Sequence, residues 1–378
     1  MFLVNTLSKL IEFKSISPND DGSINFLSDL LREIGFNCKK LTFGNSSSNK
    51  TKNLYAYLNK GEGPNFCFAG HVDVVPPGKF WKSNPFIATK KNGFIFGRGA
   101  CDMKGAVAAY IVAIKNFVKD NKDFNGKISL ILTSDEEGEA KYGTKKVVEW
   151  IKEKKIALDY CLVGEPTCQK NLGDIAKVGR RGSLNCSLLV KGKQGHVAYP
   201  DRAVNPITLL LKYLDVLKKP LDKGNKNFQP SNLEITSIDS KNETTNLIPN
   251  SVLAKFNIRF NNNFTSKTLI SILKNRLDKI EGKYDLKVIS SCEPFLSPSK
   301  FLIKKLEESI FTVSKKKVKL STSGGTSDAR FISKICPVIE FGAIGETMHK
   351  IDERIKISDL KLLSEIYENL LYNIYFNK

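Results

Sequence analysis

The sequence predicts an α/β fold interrupted by a smaller α+β unit. Three observations carry this prediction. Helical and extended patterns alternate through residues 1–179, the strands between 180 and 293 become partly alternating, and the first character returns over 294–378. In the outer segments several strands are short apolar runs such as ISLIL at 128–132, as expected of a sheet covered on both faces. In order, helices are expected over 3–13, 23–34, 105–118 and 144–154, and strands over 53–58, 65–69, 127–133 and 158–163. The middle segment reads as a strand at 183–190, a helix at 206–217, strands at 232–238 and 252–260, a helix at 267–280 and a strand at 286–290. Two helices on one small sheet make an α+β unit of about a hundred residues. The last segment holds a helix over 300–313, a strand over 337–342 and a closing helix over 360–376, with Ser358 or Asp359 as its cap. The economical organisation is one α/β domain, 1–179 and 294–378, split by an inserted domain over 180–293.

Composition narrows the function classes. The chain of 378 residues has 59 Lys+Arg against 39 Asp+Glu, a net charge of +20, and 41% hydrophobic residues, enough for ordinary cores. Such a charge raises a nucleic-acid or anionic-surface binding protein as one reading. Only nine of the basic residues are Arg, however, and the Lys and Asn excess is spread along the whole chain. Phosphate-reading surfaces favour the Arg fork, so the charge reads as a diffuse Lys-rich surface with no nucleic-acid partner. The Lys run at 315–319 reads as a solvated face. The start, MFLVNTLSKLIEF, is an amphipathic helix without a basic leading region, and the longest apolar run, near 106–114, is too short for a bilayer. No membrane partner is expected. Eight cysteines without a C-x-x-C pair suggest reduced thiols and a cytoplasmic location, and give no support to a cysteine-based zinc site.

Chemistry concentrates around three histidines, His71, His196 and His349. In AGHVDVVPPG (69–78), His71 and Asp73 are two apart on an extended chain and share a side. That suits an imidazole ligand held by a carboxylate, or a strand-end turn closed by a His–Asp pair. GRGACDMKG (97–105) sets Asp102 before an apolar helix, where it either caps the helix or bridges two cations. The strand ISLILT runs into Asp135, Glu136 and Glu137, which read as an acidic helix start or as carboxylates holding positive charge. DYCLVGEPT delivers Glu165, and PVIEFGAIGETMHKIDE delivers His349, each after an apolar strand. Ligands of open parallel sheets sit outside the carboxyl ends of strands, so these groups should converge. Two His, a central Asp and two Glu are the inventory of a two-metal site that suits zinc, or less tightly manganese or cobalt.

These motifs make the chain resemble peptidase family M20, the co-catalytic zinc hydrolases. The likeness extends over nearly the whole chain through AGHVDVVPPG, W-x-x-x-P-F at 81–86, FGRGACDMKG, LTSDEEG, DYCLVGEPT, QGHVAYP, TNLIP and HKIDE. GRRGS (179–183), FNIRF (256–260) and SGGTSDARF (323–331) resemble the branch acting on N-succinyl-LL-2,6-diaminopimelate. The resemblance implies a zinc-exopeptidase-like catalytic domain, an inserted dimerisation (lid) domain, and two divalent metal ions per subunit, zinc before cobalt or manganese. By the same resemblance Asp102 bridges both metals, His71 and Glu165 complete one site, and Glu137 and His349 the other. Asp73 then orients His71, Glu136 is the general base, and His196 acts across the interface of a homodimer. Arg180, Tyr199, Asn246, Arg259, Gly325, Thr326 and Ser327 are implied around a small acidic substrate.

The implied reaction cleaves an amide to succinate and LL-2,6-diaminopimelate for lysine and peptidoglycan precursors; an acetylornithine deacetylase or other aminoacylase of the family is the alternative. Five of the nine arginines, Arg98, Arg180, Arg181, Arg259 and Arg330, lie inside motifs, and Arg forks suit a substrate with three carboxylates. For Arg98, Arg181 and Arg330 a structural ion pair stands equally open. The chain departs from the family pattern at Thr245, where a second Asn is common, at Ala329, where Gly is common, and at Cys101, where a small residue is common.

Overall fold

A computed structural model describes residues 1–45 and 50–376. The chain divides into two compact units, one formed by residues 1–178, 297–321 and 327–378, the other by 179–296 and 322–326. The glycine-rich stretch 322–326 thus groups with the middle segment, which the sequence boundaries at 180 and 293 do not foresee.

The first unit is built on an eight-stranded sheet. Its order is Asn37–Gly44, Lys50–Asn59, Lys127–Thr133, Asn65–His71, Tyr160–Val163, Val338–Glu340, Ile175–Lys177 and Lys319–Ser321. The four central strands, from Lys127–Thr133 to Val338–Glu340, are mutually parallel, so their carboxyl ends share one edge. Strand residues alternate between faces. Leu54, Ala56, Leu58, Phe66, Phe68, Ile128, Leu130 and Leu132 join one apolar cluster with the helices Phe2–Glu12, Ser23–Glu33, Lys104–Asp120, Lys300–Ser314 and Ile357–Tyr375. Within it Phe68 stacks on Tyr110 at 4.1 Å and meets the edge of Tyr367. The opposite face is covered by the shorter helix Thr144–Glu153, whose Trp150 lies 5.5 Å from Tyr55.

The second unit carries a four-stranded antiparallel sheet in the order Asn232–Asp239, Ser251–Phe260, Gly182–Lys191 and Lys283–Cys292. Leu184, Cys186, Leu188, Val252, Phe256 and Ile258 point to one face, where helices Pro206–Leu217 and Ser266–Leu277 supply Leu210, Leu214, Leu269 and Leu273. Both helices start on local signals. Asn205 accepts the Ile207 N–H ahead of Pro206, and Thr265 and Thr268 exchange capping hydrogen bonds.

One expected cap fails. The closing helix begins at Ile357 with Lys356 in the cap position and no side-chain cap bond, so neither Ser358 nor Asp359 plays that part. Backbone pairing explains the earlier start: Arg354–Lys356 is a strand running directly into the helix. All eight cysteines are free thiols, and no helix among the described residues is long and apolar enough to cross a membrane.

Candidate active site

The parallel edge of the first unit gathers the expected side chains. His71 is the last residue of its strand, and Glu136, Glu137, Glu165 and His349 follow the ends of the three neighbouring strands. Asp102 comes from the loop before helix Lys104–Asp120. It does not cap that helix, whose cap position is Met103. Gly105 lets the loop turn tightly onto itself, since a Cβ there would lie 2.3 Å from the Ala100 carbonyl oxygen.

Asp102 stands between the two imidazoles. Its Oδ1 lies 3.3 Å from His71 Nε2 and its Oδ2 lies 3.2 Å from His349 Nε2. His349 Nε2 also meets Glu137 Oε1 at 2.8 Å, and His71 Nε2 has Glu165 Oε1 at 3.9 Å. Two triplets result, His71–Asp102–Glu165 and Asp102–Glu137–His349, each with ligand atoms within 4.8 Å of one another. His71, Glu136 and Glu137 form a third such group.

Asp73 holds the cluster differently from the expectation of a carboxylate on His71. His71 Nδ1 meets the Asp73 carbonyl oxygen at 2.9 Å, whereas the carboxylate is 3.7 Å away. That carboxylate instead accepts the backbone N–H groups of Glu136 at 3.1 Å and Glu137 at 3.0 Å. Asp135 is drawn off to the following loop, accepting the N–H groups of Ala140, Lys141 and Tyr142.

The electrostatics are those of crowded negative charge. Burial alone would depress the His71 pKa, but the hydrogen bond to Asp102 and the charges of Asp73 and Asp102 hold it well above the ordinary histidine value. Hydrogen bonds to Asp102 and Glu137 push His349 up to about 10. Burial opposes ionisation of Asp102, yet its bonds to His349 and His71 keep its carboxyl well below the usual range. Burial pushes Asp73 up to about 6. Burial and then the Glu165 charge raise Glu136 well above the ordinary glutamate value.

The raised histidine pKa values and the crowded carboxylates mark a site that calls for positive charge. Imidazole nitrogens and carboxylate oxygens with one carboxylate shared form a donor set that fits two divalent cations.

The second unit carries the remaining expected residues. Gly195–His196 pairs with Leu247–Ile248, which sets Asn246 beside His196 at an exposed edge, with the Tyr199 ring 5.8 Å from the imidazole. Arg180 is buried and donates from Nη1 to the Gly325 carbonyl at 3.2 Å. Gly324, at φ +104°, leaves the guanidinium room, since a Cβ would sit 2.8 Å from that nitrogen. Arg259 is half-buried opposite Ser183 and Asn232, while Arg181 bonds the Asn232 side chain at 2.8 Å. Thr326 ends the glycine-rich stretch. Ser327, in the first unit, is buried and its hydroxyl donates to Glu340.

The profile of the peptidase family M20/M25/M40 matches residues 67–373. The chain belongs to this family. Its relatives include the succinyl-diaminopimelate desuccinylase of Pelagibacter ubique (strain HTCC1062), 51% identical over 98% of both chains. That of Orientia tsutsugamushi (strain Ikeda) is 46% identical over 98% of this chain and 95% of its own. Among solved structures the fold resembles aminopeptidase PepT from Bacillus cereus, with a TM-score of 0.79 at 20% identity over 99% of this chain and 98% of that one. The M20 family metallo-carboxypeptidase Sso-CP2 from Sulfolobus solfataricus gives 0.77 at 20% identity over 98% of both. This M20 chain is accordingly a metal-dependent amidohydrolase, and the cluster around Asp102 is its candidate metal site.

One residue that holds the Asp102 loop is not apparent from the sequence. Glu353, within HKIDE, is almost fully buried and accepts the N–H groups of Gly99, Cys101 and Asp102 at 3.0, 2.9 and 3.1 Å. It also pairs with Arg98 at 2.8 Å. Arg98 further donates to the carbonyls of Lys350 and Pro77 and lies over the Trp81 ring, so of its two readings the structural ion pair holds. The only signal was the recurrence of Arg and Glu inside two motifs.

Proposed function

We propose that this chain hydrolyses N-succinyl-LL-2,6-diaminopimelate to succinate and LL-2,6-diaminopimelate. The observation that carries the reading is the Asp102 carboxylate set between His71 and His349, with Glu165 and Glu137 completing two triplets. Full-length relatives named for this reaction support the substrate. His71, Asp102 and Glu165 would hold one divalent ion, and Asp102, Glu137 and His349 the other, with zinc as the metal and cobalt or manganese as substitutes. Bound there, such ions lower the pKa of water and polarise a carbonyl.

The chain's own residues account for the proton work. Glu136, with its raised pKa, takes a proton from the attacking water and returns it to the leaving amine. Asp73 fixes the backbone that presents Glu136 and Glu137, and its carbonyl oxygen fixes the His71 ring. Arg180, Arg259, Tyr199, Asn246, Gly325, Thr326 and Ser327 are assigned to the substrate and its carboxylates. His196 is assigned to the developing oxyanion in the active site of a partner copy, which makes the working species a homodimer. The exposure of His196 and Tyr199 supports that assignment. Reduced thiols and the absence of a membrane-crossing helix among the described residues support action in the cytoplasm.

The deciding experiment assays metal-reconstituted protein on the succinyl compound and on N-acetylornithine. Turnover of the succinyl compound with little turnover of acetylornithine is expected, because only the succinyl tail retains a free carboxylate. Equal rates would overturn the specificity.

A further inference from the structure

The sheet of the first unit has a second opening, at the end away from Asp102. A cavity of about 810 Å³ lies over the amino ends of its parallel strands, where Asn65, Lys127 and Asp159 stand. Asn65 and His71 are the two ends of a seven-residue strand, about 20 Å apart. The opening follows from the covering helix. Thr144–Glu153 has only ten residues and turns away at Lys154 and Lys155, so the start of this face stays uncovered.

Tyr55 and Tyr57 point to that face, opposite the Leu54 and Ala56 side that enters the main core. Together with Trp150 they form an aromatic wall, the Tyr55 ring 5.9 Å from Tyr57 and 5.5 Å from Trp150. Trp150 and Tyr57 remain partly exposed.

Charge points the same way. Four lysines line the cavity, Lys39, Lys127, Lys154 and Lys155. Lys39 lies over the Trp150 ring at 5.3 Å and Lys127 over the Tyr57 ring at 5.7 Å. Among the described residues none of the four ammonium groups is in an ion pair. Of the two bordering acids, Asp159 is engaged with the Asn65 N–H at 2.7 Å, leaving Glu62. A wall of rings beside unpaired cations, in a cavity of ligand size, suits a planar ring that carries negative charge.

We propose that this cavity binds a small anion bearing a planar ring, of the class of nucleoside monophosphates, with the ring on Tyr57 and Trp150 and the anionic group at Lys39 and Lys127. The site is separate from the amide-cleaving centre and does not rest on the substrate assigned to it.

Calorimetric titration of the full-length protein with adenosine monophosphate, adenosine and inorganic phosphate tests it. Adenosine monophosphate should bind saturably at one per chain, with adenosine and phosphate each at least about tenfold weaker. Lys39→Ala/Lys127→Ala, two changes at the rim, should weaken the nucleotide about tenfold while thermal unfolding and amide turnover stay as in the parent. Trp150→Ala should remove most of the ring's contribution. No saturable heat at millimolar nucleotide, equal binding of phosphate and nucleotide, or unchanged affinity in the double lysine variant would each overturn the proposal. Displacement of the nucleotide by succinate would place it at the metal cluster instead and would also overturn it.

Discussion

Glu136 and Glu137 are adjacent in sequence, and the different tasks proposed for them rest on the different neighbours their carboxyls meet. Glu137 Oε1 meets His349 Nε2 at 2.8 Å, while Glu136 is crowded by burial and the Glu165 charge. The first environment suits a ligand and the second a proton carrier. Glu136→Ala should therefore retain its metal, measured by elemental analysis, while turnover falls by about 10²–10⁴-fold. Loss of metal together with activity would make Glu136 a ligand, and normal activity would refute the assignment. Asp102, His71 and His349 were legible in the sequence because each follows an apolar strand or precedes an apolar helix. Arg98 was not decidable there. A guanidinium in a motif serves substrate or scaffold alike, and only the buried partner Glu353, some 255 residues away, selects the scaffold. Ala329, a departure from the family's Gly, is harmless for a local reason. It opens the short helix Ala329–Ile332, and no left-handed backbone is needed there.

At the scale of elements, the loops carrying Asp102 and His349 are bound together by a small sheet. Phe94–Phe96 pairs with Arg354–Lys356, and Glu353 closes the gap between that sheet and the Asp102 loop. Glu353→Gln keeps the shape but strands Arg98 without its counter-charge, at a cost of about 3–5 kcal/mol. Denaturant unfolding should show that loss, and metal content at limiting metal should fall because the Asp102 backbone is no longer held. Unchanged stability and loading would show that the clamp is dispensable. This sheet was invisible in the sequence, because three-residue strands are too short to display a period. The edge strand Asn37–Gly44 was missed for another reason: most of its residues are exposed, so its apolar signal is thin. Strands buried on both faces and helices with one buried face were legible within a few residues at each end, as at Lys127–Thr133 and Pro206–Leu217.

For the whole molecule, the candidate metal site is a concentration of like charge held by the fold. A divalent cation that binds only the folded chain should raise its melting temperature, and binding should release protons from His71 and His349. In metal-free protein the sign can be followed through His349, whose pKa rises from 6.5 to about 10 on folding. Its stabilising contribution is complete below about pH 6.5 and is lost as pH rises through about 10. The stability difference between the metal-free parent and His349→Ala should shrink over that interval. A difference that grew with pH would contradict the arrangement, and an unchanged melting temperature on chelation would remove the cation from the structural account. The net charge of +20 has little part in this, since the groups that gather around Asp102 are carboxylates and imidazoles.

By itself the sequence determined the alternation of elements, the inserted α+β segment and which carboxylates and histidines end the central strands. Those are local properties, set by hydrophobic period and by residue types placed at strand ends. Tertiary structure alone decided that Asp102 presents one oxygen to His71 and one to His349, and that Asp73 steadies backbone amides with its carboxylate. It also decided that Glu353 claims Arg98, and that a short helix leaves Tyr57 and Trp150 open beside lysines that, among the described residues, are in no ion pair. Each depends on contacts between segments far apart in the chain, and such contacts leave no period or spacing to be read in the sequence.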